Sequence, residues 1–282
     1  MEEGKEDEVN PAVLINWREK QDQIKEQIVM EDSENIDWDF NENYHLETGD
    51  DERRKIRFIG GLDISFEKGT DQACASLVIL SYPSLEVMEE IHRHPITMIE
   101  PYKAGFLAFR EASFLISLLE EVNKENPSFY PDVLMFDGNG VLHHRGCGIA
   151  SHVGVLVDIP SIGVAKNLLM IDGLERSEVR RLLDEEGEED FIELVGESGR
   201  CWGAALCPTP SVNNPIFVSI GHKISLSSAL SLVRNCSLHR VPEPIRQADL
   251  RSREIIRNHQ QEISSSSSGK IESKMNNEDD TN

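Results

Sequence analysis

The pattern of apolar and polar positions divides the chain into a run of short elements. Residues 11–29 set Val13, Leu14, Trp17, Ile24 and Ile28 on one side of an amphipathic helix, and an acidic connection over 31–52 follows. Three strand-like runs come next, at 56–66, 73–82 and 85–96, parted only by Lys68-Gly69-Thr70 and Pro83-Ser84. Connections this short suit an antiparallel meander. A helix over 105–124 repeats Phe114, Leu115, Leu118, Leu119 and Val122 at helical spacing, and the apolar run ending at 137 reads as a buried strand over 132–137. A Gly/Ala-rich helix over 146–157, a strand over 160–166, strands near 203–207 and 216–220, and helices over 225–235 and 244–258 complete the order. A meander followed by helix, strand, helix, strand predicts an α/β fold with a mixed central sheet flanked by helices.

Composition sets the boundaries. The 282 residues carry a net charge of −23, but the charge is uneven. Residues 1–52 hold 18 acidic side chains against 4 basic, residues 262–282 hold 5 against 2, and the middle 209 are left with −6. Segments 1–10 and 259–282, the latter opening on a serine run, are expected to lack a packed structure, which leaves 11–258 as one domain. Basic residues cluster at Arg53-Arg54-Lys55-Arg57, at His143-His144-Arg145 and at Arg240, Arg246, Arg251, Arg253 and Arg257, so a local cationic groove is compatible with the acidic total. Five cysteines with no Cys-x-x-Cys pair argue against a disulfide framework or a zinc site. No apolar run approaches the roughly 18–20 residues of a membrane span, and the N-terminus has no basic or apolar leader. The expectation is a soluble intracellular protein. The acidic run 184–190 lacks the alternating ligand spacing of a calcium loop and reads as a solvated loop.

The chemistry concentrates in four carboxylates. Asp137 ends the buried strand and opens Asp137-Gly-Asn-Gly-Val-Leu-His-His-Arg-Gly-Cys-Gly148, which joins a metal ligand, close backbone approach and phosphate-binding cations. By itself the Asp-Gly and Asn-Gly content also fits a plain turn. Asp63 interrupts an apolar strand between Leu62 and Ile64, where burial without a partner is costly. Glu111 and Asp249 lie in helical stretches and read, one at a time, as exposed carboxylates paired with arginine. Taken together, four such groups from two strands and two helices suggest a divalent-cation site.

Six motifs in order carry a resemblance to the endonuclease V family: Gly60-Gly-Leu-Asp-Ile-Ser-Phe66, Pro101-Tyr-Lys-Ala-Gly-Phe-Leu-Ala-Phe-Arg-Glu111, Asp137-Gly-Asn-Gly-Val-Leu-His-His-Arg-Gly146, Ile162-Gly-Val-Ala-Lys166, Gly221-His222 and Arg246-Gln-Ala-Asp249. The resemblance implies an RNase H-like fold and Mg²⁺-dependent hydrolysis, with Mn²⁺ as a substitute. Cleavage is implied at the second phosphodiester 3′ of an inosine, leaving a 3′-hydroxyl and a 5′-phosphate. It also implies that Asp63, Glu111, Asp137 and Asp249 hold metal, that His222 stands beside them and that Lys166 completes the catalytic group. Gly138 and the loop bearing Leu142, His143, His144, Arg145 and Gly146 are implied to receive the substrate base, with Tyr102 as the strand-separating wedge. Lys103 and Ala104 replace the last two residues of the bacterial Pro-Tyr-Ile-Pro wedge, which favours single-stranded RNA over duplex DNA. The implied partners are inosine-containing RNA and, second, inosine-containing DNA, met by a monomer in the cytoplasm, the nucleus or the nucleolus. Two rivals are a different RNase H-like nuclease and a catalytically inert reader of inosine RNA.

Overall fold

The computed structural model describes residues 9–40, 53–186, 190–210 and 214–275, with the backbone alone at 186 and 263–275. Residues 1–8, 41–52 and 276–282 lie outside it, as does the middle of the acidic run 184–190. The elements are α1 (Pro11–Glu26), β1 (Ile36–Asp37), β2 (Arg54–Lys55), β3 (Phe58–Phe66), β4 (Gln72–Ser81), β5 (Val87–Thr97), α2 (Leu107–Glu125), β6 (Val133–Asp137), α3 (Ile149–Val157), β7 (Ser161–Ala165), α4 (Arg176–Glu186), β8 (Phe191–Val195), β9 (Cys201–Leu206), β10 (Ile216–His222), α5 (Leu226–Asn235) and α6 (Glu243–Met275). Eight strands form one mixed sheet in the order β5-β4-β3-β6-β7-β10-β9-β8, in which β3, β6 and β7 run parallel and the other pairings are antiparallel.

Parallel central strands must be covered on both faces, and their unbroken apolar sequence follows from that. On one face Leu115, Leu118, Leu119 and Val122 of α2 and Val153 of α3 pack on Leu62, Leu77, Leu134 and Phe136. On the other, Leu230 and Val233 of α5 and Ile245 of α6 pack on Ile59, Val133, Met135, Ile162 and Val164. Gly61 lets α6 come this close, because a Cβ there would stand 1.9 Å from the Pro244 carbonyl oxygen. A third cluster packs α4 against the β8 end of the sheet through Leu168, Val179, Ile192, Leu194 and Phe217.

The meander and the parallel strands agree with the expected order. Besides the two-residue strands β1 and β2, the helix α4 and the strand β8 do not appear in the sequence reading, although Val179, Leu182 and Leu183 share helical spacing and Phe191-Ile-Glu-Leu-Val195 is short, apolar and β-branched. Helix α6 also continues past 258, so part of the segment expected to lack structure is helical as far as Met275. Serine is only a moderate helix former, but elongating a helix already nucleated by the packing of Ile245 and Ala248 costs little per residue.

Candidate active site

Strand alternation brings the functional side chains to one face. Gly61 lies against α6, so Asp63, two residues on, points to the same side; Met135 sets Asp137 there, and Val164 does the same for Lys166 just beyond β7. Register aligns them, since Leu62 pairs with Phe136 and Asp137 with Val164. Asp63 and Asp137 therefore stand side by side at the carboxyl edge of the parallel strands, where open α/β sheets hold ligands. Asp249 comes down from α6, and Glu111 comes from α2 on the opposite face.

The Lys166 ammonium donates to Asp137 Oδ2 at 2.6 Å and lies 3.9 Å from Asp249 Oδ2. Ser65 and Ser252 each donate to Asp63 Oδ2 at 3.1 Å, and their hydroxyls meet at 2.7 Å. Arg253 holds the other oxygen of Asp249 at 2.7 Å. Asp63 and Glu111 are each only 8 % exposed. Burial, then the charges of Asp137 and Asp249, push the Asp63 carboxyl up to about 6. Burial, with Asp63 and Asp137, raises Glu111 to about 8 against the pull of Arg110. Burial works against the Lys166 ammonium, but its hydrogen bond to Asp137 and the surrounding carboxylates outweigh it, and its pKa is raised.

Two carboxyls raised this far mark a site short of positive charge, and a hard divalent cation bound by oxygen fits that deficit. The four carboxylates are the residues that would hold it. A cleft of about 590 Å³ opens beside them, lined by Asp63, Asp137, Asp249, Arg253, Arg257 and Gln260. Lys166 and Arg240 also line a second cleft of about 340 Å³ with Arg176 and Arg180. The C-terminal arginines thus divide: Arg253 and Arg257 face the site, whereas Arg246 pairs with Glu243 and Arg251 with Glu90.

His222 does not join the carboxylates. It pairs with Ser161 at the start of β7, while Asp137 pairs with Val164 three residues along, roughly 10 Å away by strand rise. Its ring is buried, and a bulge between Ile220 and His222 alters the local register. Nδ1 accepts from the Val29 backbone at 3.3 Å, so a neutral ring carries its proton on Nε2, which faces Asp158 at 3.4 Å. Burial lowers its pKa despite Asp158. The sequence places His222 by motif order, which says nothing about the end of the strand on which it falls.

The loop after Asp137 also departs in part from expectation. Leu142 is fully buried in the cluster with Leu168 and Phe217, so its side chain is core here and lines no open surface. Arg145 is engaged by α1, donating to Gln21 Oε1 and Asp22 Oδ1 at 2.6 Å each and lying over the Phe106 ring. His143 is mostly enclosed; burial and then its cationic neighbours lower its pKa to about 4, so it is neutral. His144 is exposed, Gly146 is buried beside Lys25, and Gly138 follows Asp137 with its N–H on the Val164 carbonyl. Gly163 must be glycine here because the loop crosses it, and a Cβ would stand 2.3 Å from the Gly140 nitrogen. Tyr102 is 41 % exposed.

Sequence reasoning missed Gln21, Ser65 and Ser252. Gln21 is buried and its amide donates to the Gly105 and Cys147 carbonyls, tying the segment of Tyr102 to the loop after Asp137. A glutamine at helical spacing between Trp17 and Ile24, on the side of the helix that otherwise reads as an apolar packing stripe, was the available signal. Ser252 could have been found from the spacing Asp249, Ser252, Arg253, Ile256, Arg257, Gln260, one face of a helix.

With this geometry in place, comparisons with known proteins decide the family. The endonuclease V family model matches residues 40–250. The chain belongs to the endonuclease V family. It is 44 % identical to human endonuclease V over 249 residues, covering 86 % of this chain and 83 % of that protein. The crystal structure of the human endonuclease V superposes with a TM-score of 0.77 at 41 % identity, covering 87 % of this chain and 99 % of that one. An endonuclease V from Ciona intestinalis, solved with a 23mer DNA containing an inosine followed by a ribo-adenosine, gives 0.77 at 31 % identity over 89 % and 99 % of the two chains. Endonuclease V proteins have an RNase H-like fold, and the eight-stranded mixed sheet with its flanking helices is that fold. As a family member the chain is a nuclease of the hydrolase class, and the family's nucleases are metal-dependent.

Proposed function

We propose that this protein is an Mg²⁺-dependent endoribonuclease that cuts single-stranded RNA at the second phosphodiester 3′ of an inosine, leaving a 3′-hydroxyl and a 5′-phosphate. The observation that carries the reading is the convergence of Asp63, Glu111, Asp137 and Asp249 with Lys166 among them, at the head of a glycine-rich loop. The Ciona relative's complex with an inosine followed by a ribonucleotide supports the substrate class.

Held by these carboxylates, Mg²⁺ supplies Lewis acidity and neutralises charge that would otherwise repel a phosphodiester. Everything else falls to the chain. Lys166, kept protonated by Asp137 and Asp249, is placed to hold a nonbridging phosphate oxygen as charge develops. Arg253 and Arg257 along the cleft can follow the strand's phosphates. Hypoxanthine lacks guanine's 2-amino group and presents O6 and N1–H, so the backbone of the loop from Gly138 is suited to reading it, while Tyr102 stacks where the base was displaced.

The test is cleavage of matched single-stranded RNA and DNA, each with one inosine, under Mg²⁺, with product ends mapped. Cleavage of RNA ahead of DNA at the second bond upholds the reading. Equal rates would make deoxyinosine DNA a co-equal substrate, and binding without cleavage would leave an inosine reader, against the complete carboxylate set.

A further inference from the structure

On the outer side of the cleft, three side chains from separate elements meet. Glu67 follows the end of β3, His94 lies in β5 and His259 on α6, and one carboxylate oxygen and one nitrogen from each ring fall within 4.8 Å of one another. The rings meet edge to face with centroids 4.7 Å apart. His94 Nε2 and His259 Nδ1 are both buried and have no hydrogen-bond partner, an arrangement that costs free energy unless an ion or a water satisfies it. Glu67 is itself buried, and Gln260 donates to its Oε1 at 2.9 Å, which fixes the carboxylate and leaves Oε2 for another ligand.

We propose that Glu67, His94 and His259 form a second metal site, distinct from the catalytic carboxylates and selective for a borderline divalent cation of the Zn²⁺ class. Two imidazoles and one carboxylate are a donor set that Zn²⁺ accepts and Mg²⁺ does not favour. Bonds of about 2.0–2.1 Å to a tetrahedral ion hold ligand atoms roughly 3.3 Å apart, so a modest contraction from the present spacing completes it. The cysteine count that argued against zinc has no bearing, since the site uses none.

Its position gives it a role. Glu67 is four residues after Asp63, just past the end of the same strand, and His259 is ten residues after Asp249, about 15 Å along α6. A cation there fastens α6 across β3 and β5, and so fixes the wall that brings Asp249 and Ser252 to Asp63. The ligands are positioning residues; none touches the reacting phosphate.

The experiment uses the full chain, stripped of metal by chelation and titrated with Zn²⁺ against a chromophoric chelator. Asp63→Ala with Asp137→Ala forms the background, so that the catalytic carboxylates contribute little. One tight equivalent is expected in that background. His94→Gln or His259→Gln should weaken it at least about tenfold, as disturbing even an outer partner of a metal ligand does. Zn²⁺ should also raise Tm in the background protein and not in the histidine variants, with circular dichroism confirming that each variant is folded. X-ray absorption at the zinc edge should report imidazole and oxygen neighbours. Affinity indifferent to both histidines, or sulfur in the absorption spectrum, overturns the site.

Discussion

Lys166 Nζ bridges Asp137 Oδ2 and Asp249 Oδ2, at 2.6 and 3.9 Å, and so couples the strand and the helix that would share a cation. With a cation at the carboxylates, the ammonium would compete for Asp137 and would be left to serve the phosphate. Lys166→Met should therefore separate the two effects: Mg²⁺ affinity by calorimetry rises, while single-turnover cleavage falls by about 10²–10³-fold, the usual loss when a charge-stabilising donor is removed. A variant that loses metal affinity and cleavage together would place Lys166 in support of the site's structure instead.

Asp63→Ala and Asp137→Ala should each abolish cleavage. Neither should unfold the protein, because removing one member of a mutually repelling buried cluster relieves the rest. Tm of the metal-free variants should equal or exceed wild type, and inosine RNA should still bind in a gel-shift titration. A folded variant cutting near the wild-type rate would remove that residue from the metal set.

The pH dependence follows from the same cluster. Asp63 near 6 and Glu111 near 8 are raised above their ordinary carboxylate values, so between about pH 4 and 8 the folded metal-free protein holds more protons than the unfolded chain. Its stability consequently declines as pH rises through that window, the reverse of a carboxylate stabilised by a salt bridge. Metal must displace those protons, so Mg²⁺ affinity climbs from pH 6 to pH 8 with protons released on binding. Glu111→Gln should flatten the upper half of both profiles, in Tm and in calorimetry run in buffers of different ionisation enthalpy.

Tyr102→Ala should cost substrate affinity by roughly 1–3 kcal/mol, the range for base–aromatic stacking, without moving the cleaved bond. Gln21→Ala should weaken binding in the same direction although Gln21 touches no substrate, because it releases both the Gly105 segment and the loop at Cys147. If Gln21→Ala binds as wild type at fixed salt, the two segments hold their places without it.

Leu142 and His222 provide the opposite control. Leu142→Ala should destabilise the fold by about 2–5 kcal/mol, as large-to-small changes in a packed core do, and His222→Gln should leave the cleavage rate of the folded protein near wild type. A cleavage defect in folded His222→Gln, greater than its loss of stability explains, would return that histidine to the site.

What the sequence made legible was local. Strand and helix periodicity produced the meander, β6, β7 and the carboxylates at their ends, because a charge inside an apolar run stands out in one dimension. The positions that went astray depend on register and burial, which motif order does not encode. His222 ends its strand as Asp137 does, yet that strand runs the other way and carries it to the opposite end of the parallel strands. Arg145 has the type of a phosphate ligand but meets Asp22, 123 positions earlier, before it meets solvent. In α4 and β8 the periodic signal is present but is interrupted by the acidic run between them.

The crossing of α6 over β3 at Gly61 has a further consequence in the order of synthesis. Asp63 and Asp249 are 186 residues apart, and at about 5–20 residues per second the ribosome separates their appearance by roughly 10–40 s. During that interval a nascent chain displays Asp63, Glu111 and Asp137 but has neither the fourth carboxylate nor the wall that carries it. A nuclease made beside RNA thus acquires its cutting centre in one late docking event, after the strands that anchor it have already been made.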